Sequence, residues 1–378
     1  SVYLADLVPL ISAVILSPAE GQKKVTILGT SMGGVLAMYL TQYFGKSIDE
    51  IILNDIAESP LHEMQLELQD NSLTNNFIAF IGDVKNENRM ESMFETFKPH
   101  FVYHAAAYKH VPMMEKNPCE AICTNVGGTK IMADLSVKYQ VEKFVMVSTD
   151  KAVNPTNVMG ASKRIAEIYV QSYFKYLEKQ NVNQTNGGVV KTKFITTRFG
   201  NVLGSNGSVI PRFKAQIQKG GPITVTHPDI TRYFMTIPEA CRLVLEAGSM
   251  GKGGEIFIFD MGQSVKIVEL AKKMIKLSGL IPNQDIQIEF TGLRPGEKLY
   301  EELLNDTENT LPTHHEKIMI AQVRTYEFES VKKNVKDLIH LACHYQDHDV
   351  VKSMKTMVPE FKSKNSIYEE LDILEPVV

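Results

Sequence analysis

Short apolar runs and longer amphipathic stretches alternate along residues 23–200. The short runs are Lys24–Leu28, Glu50–Leu53, Phe77–Ile81, Phe101–His104, Lys143–Ser148 and Lys193–Thr197. They are rich in Val, Ile and Phe, and several close on Gly, Asn or Asp, which marks strands. Between them, Val35–Phe44, His62–Gln69, Arg89–Phe97, Asn125–Tyr139 and Asn157–Leu177 carry helical periodicity. Strands alternating with helices predict an α/β fold: a doubly wound parallel sheet with helices on both faces.

From about residue 204 the pattern breaks into short segments punctuated by Gly, Pro and His, as in GSNGSVIP, GGPITVTHP and TGLRPGEK. The expected organisation is a lead-in arm over 1–22, the sheet domain over 23–203 and a smaller α+β substrate lobe over 204–310. That lobe is open to interleaving with the sheet domain. Residues 311–378 are more polar and are expected to form a helical appendage. The chain has 378 residues, 44% hydrophobic and 22% charged, which excludes a disordered tail, a collagen-like chain or a small disulfide scaffold. A net charge of −4 gives no basic field for nucleic acid. Four cysteines fit a reducing compartment, so the expected location is cytoplasmic. The apolar stretch Leu7–Leu16 contains Pro9 and falls short of the roughly 20 residues a membrane span needs. The chain starts at Ser1, which reads as a fragment or processed form of a longer chain tethered upstream at the inner face of the membrane.

In doubly wound sheets, ligands bind outside the carboxyl ends of the strands. Polar residues cluster there: Asp55, Asp83, His104, Ser148-Thr149-Asp150-Lys151 and Asn201. After the first strand, Gly29, Ser31, Met32 and Gly33 occupy the turn where a helix N-terminus would face a pyrophosphate, although no GxGxxG spacing is present. Asp55 lies where a carboxylate accepts ribose hydroxyls, and equally suits a turn; Asp83 suits an adenine cap or an Asx turn. Asp150 and Lys151 form an acid/base pair at a strand end, suited to moving protons on and off carbon. Ser148 or Thr149 can hydrogen-bond a reacting sugar oxygen. Met159 and Lys163 lie four residues apart, on one helix face, where Lys163 can hold a nicotinamide ribose.

The blocks AAAYKHVPMMEKNP (105–118), STDKAVNPTNVMGASKR (148–164), RFGNVLGSNGSVIPRF (198–213), THPDITRYFMTIPEA (226–240) and TGLRPGEKLYEELL (291–304) resemble the capsule and O-antigen nucleotide-sugar 4,6-dehydratases. These CapD-like enzymes of polysaccharide biosynthesis are extended short-chain dehydrogenases/reductases acting on UDP-N-acetylglucosamine. The resemblance runs from about Lys24 to Leu304. It implies an NAD(P)-binding Rossmann fold, with NAD as cofactor and NADP as the alternative, and a hydro-lyase that oxidises C4, removes the C5 proton, expels the C6 hydroxyl as water and returns hydride to C6. It implies that Asp150 protonates the leaving hydroxyl, Lys151 takes the C5 proton, and Ser148 or Thr149 binds the C4 oxygen. The implied cofactor contacts add Val84, Ala105, Ala106, Lys109 and Asn125. Implied substrate contacts are His104, Asn201, Pro211, Arg232, Arg294 and Glu297, with arginine forks suited to a diphosphate. A homo-oligomer is expected.

Met159 stands where most short-chain dehydrogenases carry a tyrosine base, which resembles the long, membrane-anchored branch of these dehydratases. That branch implies retention at C5 and argues against a 4-epimerase. The glycine loop departs from the family pattern, with Ile27 and Thr30 in place of two glycines. A nucleotide-sugar 4-epimerase and a non-catalytic nucleotide-sugar binder therefore remain the alternatives. No metal is expected: His340, His344 and His348 sit in ordinary helix, and Cys119-x3-Cys123 lacks zinc spacing.

Overall fold

The computed structural model describes residues 23–28, 36, 48–70, 77–183, 191–205, 207–303 and 309–372. The expected arm and, apart from Leu36, the expected helix over Val35–Phe44 lie outside the described residues. Residues 23–198 contribute β1 (Lys23–Leu28), β2 (Ile48–Asp55), β3 (Phe77–Ile81), β4 (Phe101–His104), β5 (Lys143–Val147) and β6 (Lys193–Arg198). The second half adds β7 (Asn201–Val202), β8 (Ile223–Val225), β9 (Thr231–Arg232), β10 (Phe234–Met235), β11 (Ile256–Phe259), β12 (Val265–Lys266), β13 (Ile288–Phe290), β14 (Asn309–Pro312) and β15 (Ile318–Gln322). The α-helices are α1 (Glu58–Asp70), α2 (Glu87–Phe97), α3 (Val111–Glu115), α4 (Pro118–Ala121), α5 (Thr129–Lys138), α6 (Val158–Asn183), α7 (Val209–Gln218), α8 (Ile237–Met250), α9 (Ile267–Leu277), α10 (Phe328–Cys343) and α11 (Asp347–Met357).

Nine strands form one sheet in the order β14-β15-β11-β6-β5-β4-β1-β2-β3. Every pair from β11 to β3 is parallel, and β15 and β14 add antiparallel edges. The strand order reverses between β1 and β4, the point at which such sheets open a ligand crevice. Consecutive residues of a strand point to opposite faces, so these strands carry apolar side chains on both sides. Ile52, Val102, Phe144 and Phe194 enter one core with α2, α5, α6, α10 and α11. Ile51, Tyr103, Val145 and Ile195 enter the other with α1 and α8. A third cluster, around Phe213, Ile223, Val225, Ile267 and Ile275, holds the smaller lobe.

The stretch expected as a helical appendage is different. It opens with β14 and β15, whose residues continue the sheet: Ile318 pairs with Phe259 and Ile320 with Phe257. Its helix α10 is part of the main core, because Phe328, Val331, Val335 and Leu338 are buried there and Phe328 stacks on Tyr173 at 4.4 Å. Likewise β11, within 204–310, is a strand of the main sheet. No helix among the described residues is long and apolar enough to cross a membrane.

A buried charge network fixes the centre of the sheet. Glu167 on α6 accepts Nε and Nη2 of Arg198 at 2.9 and 2.7 Å, Nη1 of Arg164 at 3.2 Å and the Ser148 hydroxyl at 2.7 Å. Burial alone would push the Glu167 carboxyl up, but the Arg198 and Arg164 charges outweigh it and hold it below the usual glutamate value. Breaking a buried pair is costlier than never forming it. Glu167→Gln is expected to lower unfolding free energy by about 3–5 kcal/mol in a urea titration.

Candidate active site

A cleft of about 740 Å³ opens at the carboxyl ends of the strands, above the point where β1 meets β4. At one end Asp55 closes β2 and Asp83 follows β3, and both line the cleft. Each uses one oxygen to fix its own turn: Asp55 Oδ1 accepts Ala57 N–H at 2.8 Å and Asp83 Oδ1 accepts Lys85 N–H at 2.9 Å. Val84 lines the same end. Ala105 and Ala106 follow β4 and leave the floor bare of long side chains, with Lys109 at the rim. The Thr124 hydroxyl lines this end and is buried without a hydrogen-bond partner. Gly29, Ser31, Met32 and Gly33 lie outside the described residues.

Two residues assigned to the cleft by resemblance, Asn125 at the cofactor and His104 at the substrate, sit behind its wall. Asn125 does not line the cleft. It is fully buried in a π-helical turn (Ile122–Gly128), where Oδ1 accepts Tyr108 N–H at 2.8 Å and Nδ2 donates to Tyr108 O at 3.0 Å and to Ser162 Oγ at 2.9 Å. Its amide matches both backbone groups of Tyr108, so it shapes the loop that forms the floor. His104, the last residue of β4, points into the core against the Phe144 ring and bonds Thr129 Oγ1 at 2.9 Å. Burial, with the nearby Lys163 charge, pushes its pKa down to about 3, so it is neutral, and it does not line the cleft.

The middle of the cleft is built on a 3-10 turn, Asp150–Ala152, where β5 ends. Thr149 Oγ1 donates to Asp150 Oδ1 at 2.8 Å, and Lys151 Nζ donates to the same oxygen at 2.9 Å and to Asn201 Oδ1 at 3.2 Å. Asp150 was expected to meet the leaving hydroxyl, but its side chain is wholly buried and does not line the cleft. Thr149 and Lys151 are the groups that face it, and both hydrogen-bond the carboxylate. Desolvation works against the Lys151 charge, but Asp150 and Glu301 outweigh it and raise its pKa above the usual lysine value. Ser148 lines the cleft, although its hydroxyl proton is committed to Glu167.

Helix α6 presses against this turn. A Cβ at Gly160 would fall 2.1 Å from the Lys151 carbonyl oxygen, so only glycine allows the approach. The same helix brings Met159 and Lys163 into the cleft wall, both buried. Burial pushes the Lys163 amine down to about 8.

At the far end Glu297 gathers two arginines. Arg294 Nη2 reaches Glu297 Oε1 at 3.0 Å and Arg232 Nη2 reaches it at 3.4 Å. Arg294 is half exposed and Arg232 is buried. Gly296, at φ +75°, ties this loop to the start of α6: its carbonyl accepts Thr156 Oγ1 and Asn157 Nδ2, both at 3.0 Å. Its N–H donates to Lys364 O at 2.7 Å, and Lys364 N–H donates to Thr156 O at 3.2 Å. Ser366 Oγ and Val158 N–H both donate to Glu115, at 2.6 Å each. Residues 362–366 thus strap the arginine loop to the segment that leads into α6. Pro211 was expected at the substrate, but it is on the exposed side of α7 and does not line the cleft. Sequence reasoning missed Thr124, Glu167 and Glu301. Of these, Glu301 had a signal, since it falls in the TGLRPGEKLYEELL block four residues after Glu297.

The strand order and the cleft at the carboxyl ends of the strands define the class: a Rossmann-like α/β protein with a parallel sheet. A family model described as polysaccharide biosynthesis protein matches residues 25–323, and the chain belongs to that family. The capsular polysaccharide biosynthesis protein CapD of Staphylococcus aureus is 51% identical over 317 residues, 83% of this chain and 51% of that protein. The chain therefore spans about half the length of this curated relative. Among solved structures, Pen from Bacillus thuringiensis is 33% identical with TM-score 0.70, covering 82% of this chain and 90% of that one. A dTDP-glucose 4,6-dehydratase double mutant, DesIV of Streptomyces venezuelae with NAD bound, shares the fold at 19% identity and TM-score 0.61, covering 74% and 87% of the two chains.

Because Lys163 titrates lower in the folded state than in the unfolded one, stability rises with pH between the two values. Lys163→Met removes a buried-charge penalty that is full below about 8 and gone above 10.5. The variant is expected to be more stable than wild type at neutral pH, by up to about 3 kcal/mol, with the gain fading through that window in melts taken as a function of pH.

Proposed function

We propose that the chain is a UDP-N-acetylglucosamine 4,6-dehydratase that uses NAD and retains configuration at C5. The observation that carries this is the pair Thr149 and Lys151 facing the cleft over the buried Asp150 carboxylate, with Met159 where a tyrosine base would stand. The donor set suits a dinucleotide. Asp55 fits ribose hydroxyls and would repel a 2′-phosphate, the Thr124 hydroxyl is an orphaned buried donor, and Lys163 suits a nicotinamide ribose. When bound, NAD would supply a hydride acceptor at C4 and a donor at C6.

The chain's own residues handle protons and charge. Two protons enter the cluster, from the C4 hydroxyl and from C5. Two leave, one with the C6 oxygen as water and one back to C5. The 2.8 and 2.9 Å bonds to Asp150 Oδ1 let protons redistribute between Thr149 and Lys151. Lys151 rests charged, so Asp150 takes the C4 proton, the Lys151 proton leaves with the C6 oxygen as water, the freed amine takes the C5 proton and returns it, and Asp150 then re-protonates the amine. One amine removing and returning the C5 proton on one face retains configuration there. Methionine at 159 cannot accept a proton, which removes the base an epimerase uses. Arg232 and Arg294 exchange Glu297 for diphosphate oxygens, their forks matching phosphate geometry.

Incubation with UDP-N-acetylglucosamine and NAD is expected to give a sugar nucleotide lighter by one water on mass spectrometry. Lys151→Met is expected to slow that loss by about 10²–10⁴-fold, the usual share of general acid–base catalysis. A product of unchanged mass would instead mark an epimerase, and no turnover with cofactor absent after denaturing release would mark a binder.

A further inference from the structure

Glu301 lies between the two working ends of the cleft. Its side chain is 3% exposed, yet the residue lines the cleft. Oε1 is 3.6 Å from Lys151 Nζ and 3.7 Å from Arg232 Nε. Oε2 is buried with no hydrogen-bond partner. A buried carboxylate left half satisfied costs stability, so fold maintenance does not account for it. Lys151 is faced by Asp150 from its own turn, by Asn201 at the start of β7, by Arg232 on β9 and by Glu301. Arg232 is faced by Glu297 and Glu301, and it also donates to the carbonyls of Thr231 and Leu299. Glu301 is therefore the one carboxylate among these that touches both the lysine and the arginine.

We propose that Glu301 is a positioning residue that holds Lys151 charged and in place in the resting enzyme and ties it to the arginine of the diphosphate end. Asp150 fixes the lysine from below, and Glu301 fixes it from the side of the diphosphate arginines. This rests on the dehydratase reading for its role in turnover, but the effect on Lys151 is measurable without substrate.

The test is competitive acylation of the whole protein with acetic anhydride across pH, reading the Lys151 peptide by mass spectrometry. In Glu301→Gln the pH at which Lys151 becomes reactive is expected to fall by about one unit, the effect of losing one close opposite charge. Glu301→Asp keeps the charge and is expected to stay near the wild-type midpoint. In turnover, Glu301→Gln is expected to lower kcat by about tenfold or more with little change in KM, the signature of lost positioning rather than lost binding. An unmoved Lys151 midpoint in folded Glu301→Gln overturns the proposal, as does a midpoint equally low in Glu301→Asp. A raised KM at unchanged kcat would place Glu301 in diphosphate binding alone and also overturn it. If wild type yields no dehydrated product, the dehydratase reading fails while the acylation result still decides the role of Glu301.

Discussion

Everything at the reactive end hangs on one buried carboxylate. Glu167 receives the hydroxyl of Ser148, at the end of β5, the guanidinium of Arg198, at the end of β6, and Arg164 from its own helix. Two strands and α6 are thus joined at one point in a medium where an unpaired charge is prohibitive. The Asp150–Ala152 turn begins two residues after Ser148, and Lys163 is one helical turn before Glu167. A shift of α6 would move the turn, the lysine and the cleft wall together.

The architecture was largely legible because strands buried on both faces leave an unmistakable signal. Phe101–His104, buried throughout, is a strand over the same residues that the pattern predicts, and so is the half-buried edge strand Phe77–Ile81. The alternation of strand and helix also placed the cleft, because parallel sheets fix where their carboxyl ends converge. The C-terminal stretch was not legible. Two short edge strands separated by a polar turn carry too little periodicity, and their pairing with β11 is set by residues far away in sequence.

At the site, sequence gave which residues gather but not which way they face. Asp150 and Lys151 are neighbours in sequence, yet one is sealed beneath the turn and the other lines the cleft, a difference set by 3-10 geometry. His104 and Asn125 lie at the right strand end and helix, but both side chains turn to the core side, where Thr129 and the Tyr108 backbone satisfy them. Thr124 gave no signal, since a threonine inside a helix is ordinary until its hydroxyl is found without a partner. Glu167 likewise needed the fold, because its partners come from three separate elements.

The strap at residues 362–366 has a consequence for how the protein is made. It joins Gly296 to Thr156 and Glu115, segments that lie about 70 to 250 residues earlier in the chain. During vectorial synthesis the sheet can assemble while these residues are still in the ribosome, and until they emerge the arginine loop lacks its backbone bond to Lys364 and rests on the bonds of the Gly296 carbonyl to Thr156 and Asn157. The arginine loop is thus clamped only after the scaffold that carries it has formed.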